Sequence, residues 1–350
     1  MKSMTLSKNG SSAIGLELFF EDKKKIAAII NEGIQLIGNS TVREAAAHLL
    51  SAGGKMLRSS VVTTCYKAVG GRDVQRILPV AAAVELVHNW SLVHDDIIDN
   101  SSTRRGVETI HEKWDASTAL LTGDALNNLV YLLIARSGFR AEQLEKMIEA
   151  VANVSLQLID GQLMDTGFQR ADGITEQDYF QMADRKTGAL IKCAAKTGAM
   201  LGSDNPSCVA AIETYGEKIG IAFQIKDDLI DMTGDEEDTG KDFGGDIKEG
   251  KKTLVLLHAL RNASPLHSRR LAEIISNQSV SLCAIHEAID IMREAGSFEY
   301  AGQILNKLIG EAKQQLALLP PSDYITALTE LADFIGKPHR IKVEFPLYTI

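Results

Sequence analysis

PVAAAVELVHNWSLVHDDIID, residues 79–99, is the stretch on which the fold turns. Pro79 to His94 is dominated by apolar residues and runs into the carboxylates of Asp95, Asp96 and Asp99. A second segment repeats the plan, with Ile219 to Lys226 largely apolar and leading into Asp227, Asp228 and Asp231. Ala189 to Leu201 and Ile212 to Ile230 are likewise apolar over most of a helical circumference, which places such helices at the centre of a bundle. Each carboxylate set therefore lies at the end of an otherwise buried helix.

From Leu16 onward the apolar residues recur at helical spacing, breakers fall between these segments, and strand-like alternation is nearly absent. The pattern predicts an all-α bundle of central and outer helices over 17–37, 41–51, 57–69, 73–98, 116–136, 141–170, 175–201, 206–232, 254–261, 265–277, 281–295, 297–318 and 323–335. Pro79, Pro206, Pro265 and Pro320-Pro321 are placed near helix starts or in connections, where a missing N–H costs least. Residues 1–15 are polar, with Asn9-Gly10-Ser11-Ser12, and are expected to be disordered; no composition break divides 16–350, which is expected to form one domain.

The charge balance of 37 basic against 46 acidic residues gives −9, with the bases scattered among acids rather than gathered into the stripe of a nucleic-acid binder. Cys65, Cys193, Cys208 and Cys283 are far apart, so neither a zinc site nor a disulfide framework is suggested; they read as small buried apolar residues in a reducing cytoplasm. The N-terminus lacks the apolar stretch of a secretory signal, and no uninterrupted apolar run reaches the roughly 18 residues of a membrane span. The expectation is a cytoplasmic protein without stable membrane insertion or a nucleic-acid partner.

Residues four apart on a helix are separated by about 40° around its axis, so Asp95 and Asp99 share one face, as do Asp227 and Asp231. Clustered carboxylates at a partly desolvated helix end repel one another and call for a cation. Mg²⁺ suits them, because it prefers oxygen ligands and is commonly shared between carboxylates and substrate phosphates. One such motif more often marks a solvated, capped helix end, but two copies on apolar helices make that reading the lesser one.

Basic residues stand near both motifs. Asn100 to Gly106 reads as a short polar loop that carries Arg104 and Arg105, whose guanidinium groups can bind phosphate through paired N–H bonds. Lys55 and Arg58 in Gly53-Gly54-Lys55-Met56-Leu57-Arg58 fall at an expected first helical turn, which itself favours anions. His88, two turns before Asp95, faces the same cavity. The glycine- and lysine-rich stretch from Gly234 to Thr253 can fold over a phosphate and exclude water.

Taken in order, Gly-Gly-Lys55-x-x-Arg58, Glu85-Leu-Val-His88, Ser91-Leu-Val-His94-Asp95-Asp96-x-x-Asp99, Arg104-Arg105-Gly106, Gly123-Asp124, Gly161-Gln162-x-x-Asp165, Lys186-Thr187-Gly188, Phe223-Gln224-x-x-Asp227-Asp228-x-x-Asp231 and Gly240-Lys241 resemble the trans-type polyprenyl diphosphate synthases. The likeness covers roughly residues 20 to 335 and is closest to short-chain farnesyl and geranylgeranyl diphosphate synthases of archaeal type. It implies a single-domain bundle around a central cavity and head-to-tail transfer of an allylic group, dimethylallyl, geranyl or farnesyl, to isopentenyl diphosphate with three Mg²⁺ ions. By that resemblance Asp95 and Asp99 hold two ions and Asp227 the third, with Asp96, Asp228 and Asp231 in support. Arg104, Lys186 and Lys241 bind the allylic diphosphate; Lys55, Arg58, His88 and Arg105 bind isopentenyl diphosphate; Thr187 and Gln224 line the path of the allylic cation. The family also implies a homodimer, for which Ala119 to Ala135 is the candidate surface. Met56 and Ser59 replace residues that many members carry as Arg and Pro, and the tail from Lys337 to Ile350 is less basic than is usual.

Product length in the family depends on the residues four and five positions before the first Asp motif, here Ser91 and Trp90. Trp90 as a floor implies a fifteen- to twenty-carbon product, farnesyl or geranylgeranyl diphosphate. Trp90 turned against a neighbouring helix would instead let small Ser91 leave a deeper cavity and a product of 25 carbons or more. The other readings are a terpene cyclase, which needs no second diphosphate site, and a noncatalytic synthase subunit, which tends to lose an Asp motif.

Overall fold

A computed structural model describes residues 12–169, 171–233, 244–277 and 279–337. The fold is all-α. Its helices are α1 (Ser12–Phe19), α2 (Lys23–Ile34), α3 (Ser40–Ser51), α4 (Leu57–Ala68), α5 (Val74–Ile98), α6 (Ile110–Lys113), α7 (Ala116–Ala135), α8 (Ala141–Phe168), α9 (Glu176–Ala183) and α10 (Ala189–Gly202). They continue as α11 (Pro206–Thr233), α12 (Gly245–Lys248), α13 (Leu254–Asn262), α14 (Pro265–Ile275), α15 (Leu282–Glu294), α16 (Ser297–Leu316) and α17 (Asp323–Gly336). The described sheet is one hairpin, β1 (Thr103–Arg104) with β2 (Val107–Glu108), inside the stretch expected to be loop. Helix α5 packs along α7 and α4, α10 lies against both α4 and α11, and α16 covers α11.

Most helix limits fall within a few residues of the periodicity, and the departures have local causes. The span 17–37 is two helices with a corner between them, where buried Asp22 accepts from Lys25 at 2.9 Å and from Lys67 of α4. Ser12 already opens α1, and residues 1–11 of the stretch expected to be disordered lie outside the described residues. Pro79 lies inside α5 near its start, as in the expected 73–98 span. The carbonyl it leaves without a donor belongs to exposed Gln75, where water can replace the lost bond. Of the cysteines only Cys65 and Cys193 are buried; Cys208 is half-buried and Cys283 exposed. Helix α7 is long and apolar enough by composition to cross a membrane, although polar residues interrupt it and its inner face is packed on α5.

Two close helix approaches set the centre of the bundle. Between α9 and α10 the helix widens into a π turn, Asp184–Gly188, of the kind frequently found at functional sites. Helix α8 meets it at Gly161, where an added Cβ would stand 2.4 Å from the Lys186 backbone nitrogen. On the other side α11 meets it at Gly220, where a Cβ would stand 2.5 Å from the Gly188 Cα. Backbone opposes backbone at both crossings, so no side chain can move aside. Gly220→Val is expected to destabilise the protein by about 1–3 kcal/mol or more through overpacking, read as a lowered urea midpoint. An unchanged midpoint would contradict this packing.

Candidate active site

The first Asp motif occupies the last turn of α5, and the chain leaves it by a tight reversal. Asn100 takes a left-handed φ of 50°, and the Ser101 N–H returns to the Asp96 carbonyl at 2.9 Å, closing the helix in the manner of a Schellman motif. The β1–β2 hairpin then turns through Arg105 (φ 55°) and Gly106 (φ 79°), the two positive values of a type I′ turn. This geometry folds Arg104 back on its own helix, where Nε and Nη2 donate to Oδ1 of buried Asp96, the former at 2.8 Å. Arg105 reaches in another direction and donates through Nη1 to the Gly53 carbonyl.

Two groups of charge result. In the first, burial pushes the Asp95 carboxyl up to about 6; Lys186 and Arg104 oppose the rise and the charges of Asp99 and Asp96 add to it. Asp99 stands at the exposed helix end and accepts from the Gln162 amide at 3.4 Å. Lys186, on the π turn, donates to Asp165 of α8. Lys251 pairs with Asp246 at 3.1 Å and Glu249 at 2.8 Å, and its field also reaches Asp99. In the second group, Arg105 at the Gly53 carbonyl joins Arg58 on the first turn of α4. Arg58 Nε is buried without a partner among the described residues, a donor lacking an acceptor. Burial, with Arg58, Arg105 and Arg104 close by, holds His88 well below its ordinary value, so its imidazole is neutral at pH 7.

The second Asp motif is built differently. Asp228 is buried with both oxygens engaged: Oδ2 accepts from the phenol of Tyr179 on α9 at 2.6 Å, and Oδ1 from Gln224 Nε2 at 2.7 Å. The other end of that amide, Gln224 Oε1, accepts from Thr187 Oγ1 at 2.5 Å. Asp231 Oδ2 accepts from the Asp246 N–H at 2.9 Å and so fixes the start of α12. Asp227 lies within the electrostatic reach of Arg58 and Asp228.

The middle aspartate of each motif is thus held by protein partners, Asp96 by Arg104 and Asp228 by Tyr179 and Gln224. Among the described residues no three acidic, His or Cys side chains form a ready-made metal cage. The donor set nevertheless fits a hard divalent cation completed by phosphate oxygens and water, since Asp95 and Asp99 are like charges in a partly desolvated place.

The sequence brought forward Asp95, Asp96, Asp99, Arg104, Lys186, Thr187, Gln224, Asp227, Asp228 and Asp231 as one group, and hydrogen bonds or mutual electrostatic influence link them here. Arg58, His88 and Arg105 form the adjoining group, while exposed Lys55 follows the Gly53-Gly54 loop and its charge acts on Lys226. Lys241 lies outside the described residues. Trp90 is buried, edge-on to the His94 ring with centroids 5.7 Å apart, while Ser91 is half-buried and donates to the His88 carbonyl at 2.9 Å.

Four residues were passed over as working groups. Asp165 holds Lys186, Tyr179 holds Asp228, Lys251 faces the first motif, and buried Glu85 accepts from the Ser59 N–H at 3.1 Å between Arg58 and Arg105. The π turn at 184–188 breaks the helical phase that would relate Tyr179 to Lys186; Lys251 falls in the Gly234 to Thr253 stretch read as able to fold over a phosphate, but nothing local singles it out within that stretch.

Comparison with known proteins identifies the family. The polyprenyl synthetase family profile matches residues 39–292. A short chain isoprenyl diphosphate synthase of Methanothermobacter thermautotrophicus is 40% identical over 87% of this chain and 93% of its own length. A geranylfarnesyl diphosphate synthase of Natronomonas pharaonis is 28% identical over 95% and 98%. Among solved structures, geranylgeranyl pyrophosphate synthetase from Pyrococcus horikoshii superposes with a TM-score of 0.87 at 37% identity, covering 93% of this chain and 98% of that one. Geranylgeranyl pyrophosphate synthase from Corynebacterium glutamicum, complexed with isoprenyl diphosphate and magnesium, gives 0.84 at 28% identity over 92% and 99%. With a family profile covering most of its length and a relative at this identity, the chain belongs to the polyprenyl synthetase family.

Proposed function

We propose that the protein transfers a prenyl group head-to-tail from an allylic diphosphate to isopentenyl diphosphate, making a trans-prenyl diphosphate of short to medium length. The observation that carries this reading is the pairing of an acidic group with a second, separate cationic group containing Arg58, His88 and Arg105. A terpene cyclase would not need the second group, and the retention of both Asp motifs speaks against a noncatalytic subunit.

In this reading the allylic diphosphate lies between the helix ends, with Arg104 and Lys186 on its oxygens and Lys241 as a further ligand. Asp95, Asp99 and Asp227 would hold Mg²⁺ ions, three in number by family resemblance, and Asp96, Asp228 and Asp231 support them. Bound there, the ions supply positive charge that eases departure of the diphosphate. Thr187 and Gln224 turn oxygen dipoles toward the allylic carbon as the C1–O bond breaks and the electron pair leaves with the diphosphate. Lys55, Arg58, neutral His88 and Arg105 hold isopentenyl diphosphate so that its double bond attacks that carbon. The proton then lost from the condensed product goes to the departed diphosphate, so no separate protein base is needed.

Trp90, fixed edge-on against His94, is the floor that limits the product to about the geranylgeranyl length. Replacing Trp90 with Ala should lengthen the products seen by mass after incubation with each primer, and an unaltered distribution would reject the assignment. The exposed apolar side chains Leu120, Leu121 and Leu132 of α7 and Leu156, Ile159 and Leu163 of α8 support a homodimer through these helices. Leu156→Glu with Leu163→Glu should shift the chain to a monomer in sedimentation; a retained dimer would place the interface elsewhere. The acidic balance and absent cysteine pairing favour the cytoplasm, with transient contact to membranes that receive the product.

Asp95 gives a test with two readouts. Its folded carboxyl, at about 6, binds a proton more tightly than the unfolded chain, whose value is near 3.8, so this group's contribution to stability falls as pH rises between them and stays low at pH 7. Asp95→Asn removes that cost. It should raise the Tm of the metal-free protein at pH 7 while lowering turnover about 100-fold or more. Near-normal turnover would reject Asp95 as a metal ligand.

A further inference from the structure

We propose that Tyr179 is a positioning residue for the ionisation step, acting through Asp228 and Gln224 on the Thr187 hydroxyl; the proposal rests on the placing of Thr187 and Gln224 beside the allylic carbon. Tyr179 is fully buried on α9, outside both Asp motifs. Its phenol must find a partner, because a buried hydroxyl without one costs about 1–3 kcal/mol. The partner it finds is Asp228 Oδ2, at 2.6 Å.

That bond determines what the rest of the network can do. An amide has one oxygen and one NH₂ end, and Gln224 can face Thr187 with either. With Asp228 Oδ1 taking its Nε2–H at 2.7 Å, Oε1 is left to accept from Thr187 at 2.5 Å. The Thr187 proton is thereby committed to Gln224, and the hydroxyl's oxygen lone pairs are left for the site. An oxygen presented in this way stabilises a developing cation, whereas a hydroxyl free to rotate could present its proton instead. Tyr179 keeps Asp228 from turning away, and so fixes the sense of every bond downstream. The link from Tyr179 to Thr187 also spans the π turn at 184–188, so the widened helix and the network constrain the same backbone.

Helix α9 is itself firmly placed. Thr175 and Asp178 form a reciprocal capping box at its start, and Tyr300 of α16 donates to Glu176 at 2.7 Å. Its anchoring makes α9 a fixed support for the phenol rather than a passive neighbour.

The test is a double-mutant cycle on the full-length protein, with kcat, both KM values and Tm measured for wild type, Tyr179→Phe, Thr187→Val and the double variant. Each single variant should lose about tenfold or more in kcat with both KM values unchanged, and the double should lose no more than the worse single, because the two residues act in series. Multiplied losses in the double, or a normal kcat in Tyr179→Phe beside an impaired Thr187→Val, would overturn this inference alone. A normal kcat in Thr187→Val would instead remove Thr187 from the reaction path, and with it the site reading on which the inference depends. If Tyr179→Phe does not fold, Asp228→Asn breaks the same series from its middle link and should reproduce the kcat loss without added loss from Thr187→Val; additive loss there would overturn the proposal equally.

Discussion

Like charges held together at the ends of buried helices are the constraint on which the rest of this structure depends. Asp95, Asp96 and Asp99 end one central helix and Asp227, Asp228 and Asp231 approach the end of another, in a bundle whose interior is largely apolar. Such a cluster is costly by itself. The fold limits the cost by giving the middle aspartate of each motif a permanent partner, Arg104 for Asp96 and the Tyr179–Gln224 pair for Asp228. Asp95 and Asp99 remain like charges close together, and that repulsion is the electrostatic ground for the proposed metal-bound diphosphate.

The same economy appears in the cations. Arg104 and Arg105 are adjacent in sequence but point to different groups, because the turn at Arg105 and Gly106 reverses the chain between them. One hairpin therefore ties the acidic group to the cationic group and fixes their separation, which a two-substrate condensation needs. Lys186 is paired with Asp165, a bond that the proposed allylic diphosphate would have to displace to recruit the lysine.

Much of this was legible in the sequence, for a physical reason. The helices are long and regular, so a period of 3.6 carries from one end to the other, and carboxylates at i and i+4 are read from local spacing alone. Harder to read was whatever depends on contact between distant segments or on a break in the period. The Tyr179–Asp228 bond joins residues 49 apart and the Lys186–Asp165 pair residues 21 apart. The π turn between α9 and α10 shifts helical phase without leaving a glycine or proline signal at its start. The hairpin was hidden because Arg105 adopts a left-handed conformation that non-glycine residues seldom take. Pro79 is tolerated inside α5, as the expected 73–98 helix already required, because the carbonyl it leaves without a donor belongs to exposed Gln75.

The central claim is that the carboxylates bind the allylic diphosphate only together with a divalent cation. Calorimetric titration of the purified protein with an unreactive thiolo analogue of farnesyl diphosphate tests it most directly, once with Mg²⁺ and once with chelator. Saturable binding is expected with Mg²⁺ and none, or far weaker binding, with chelator; equal affinity in both would show that the carboxylates need no cation to hold the diphosphate.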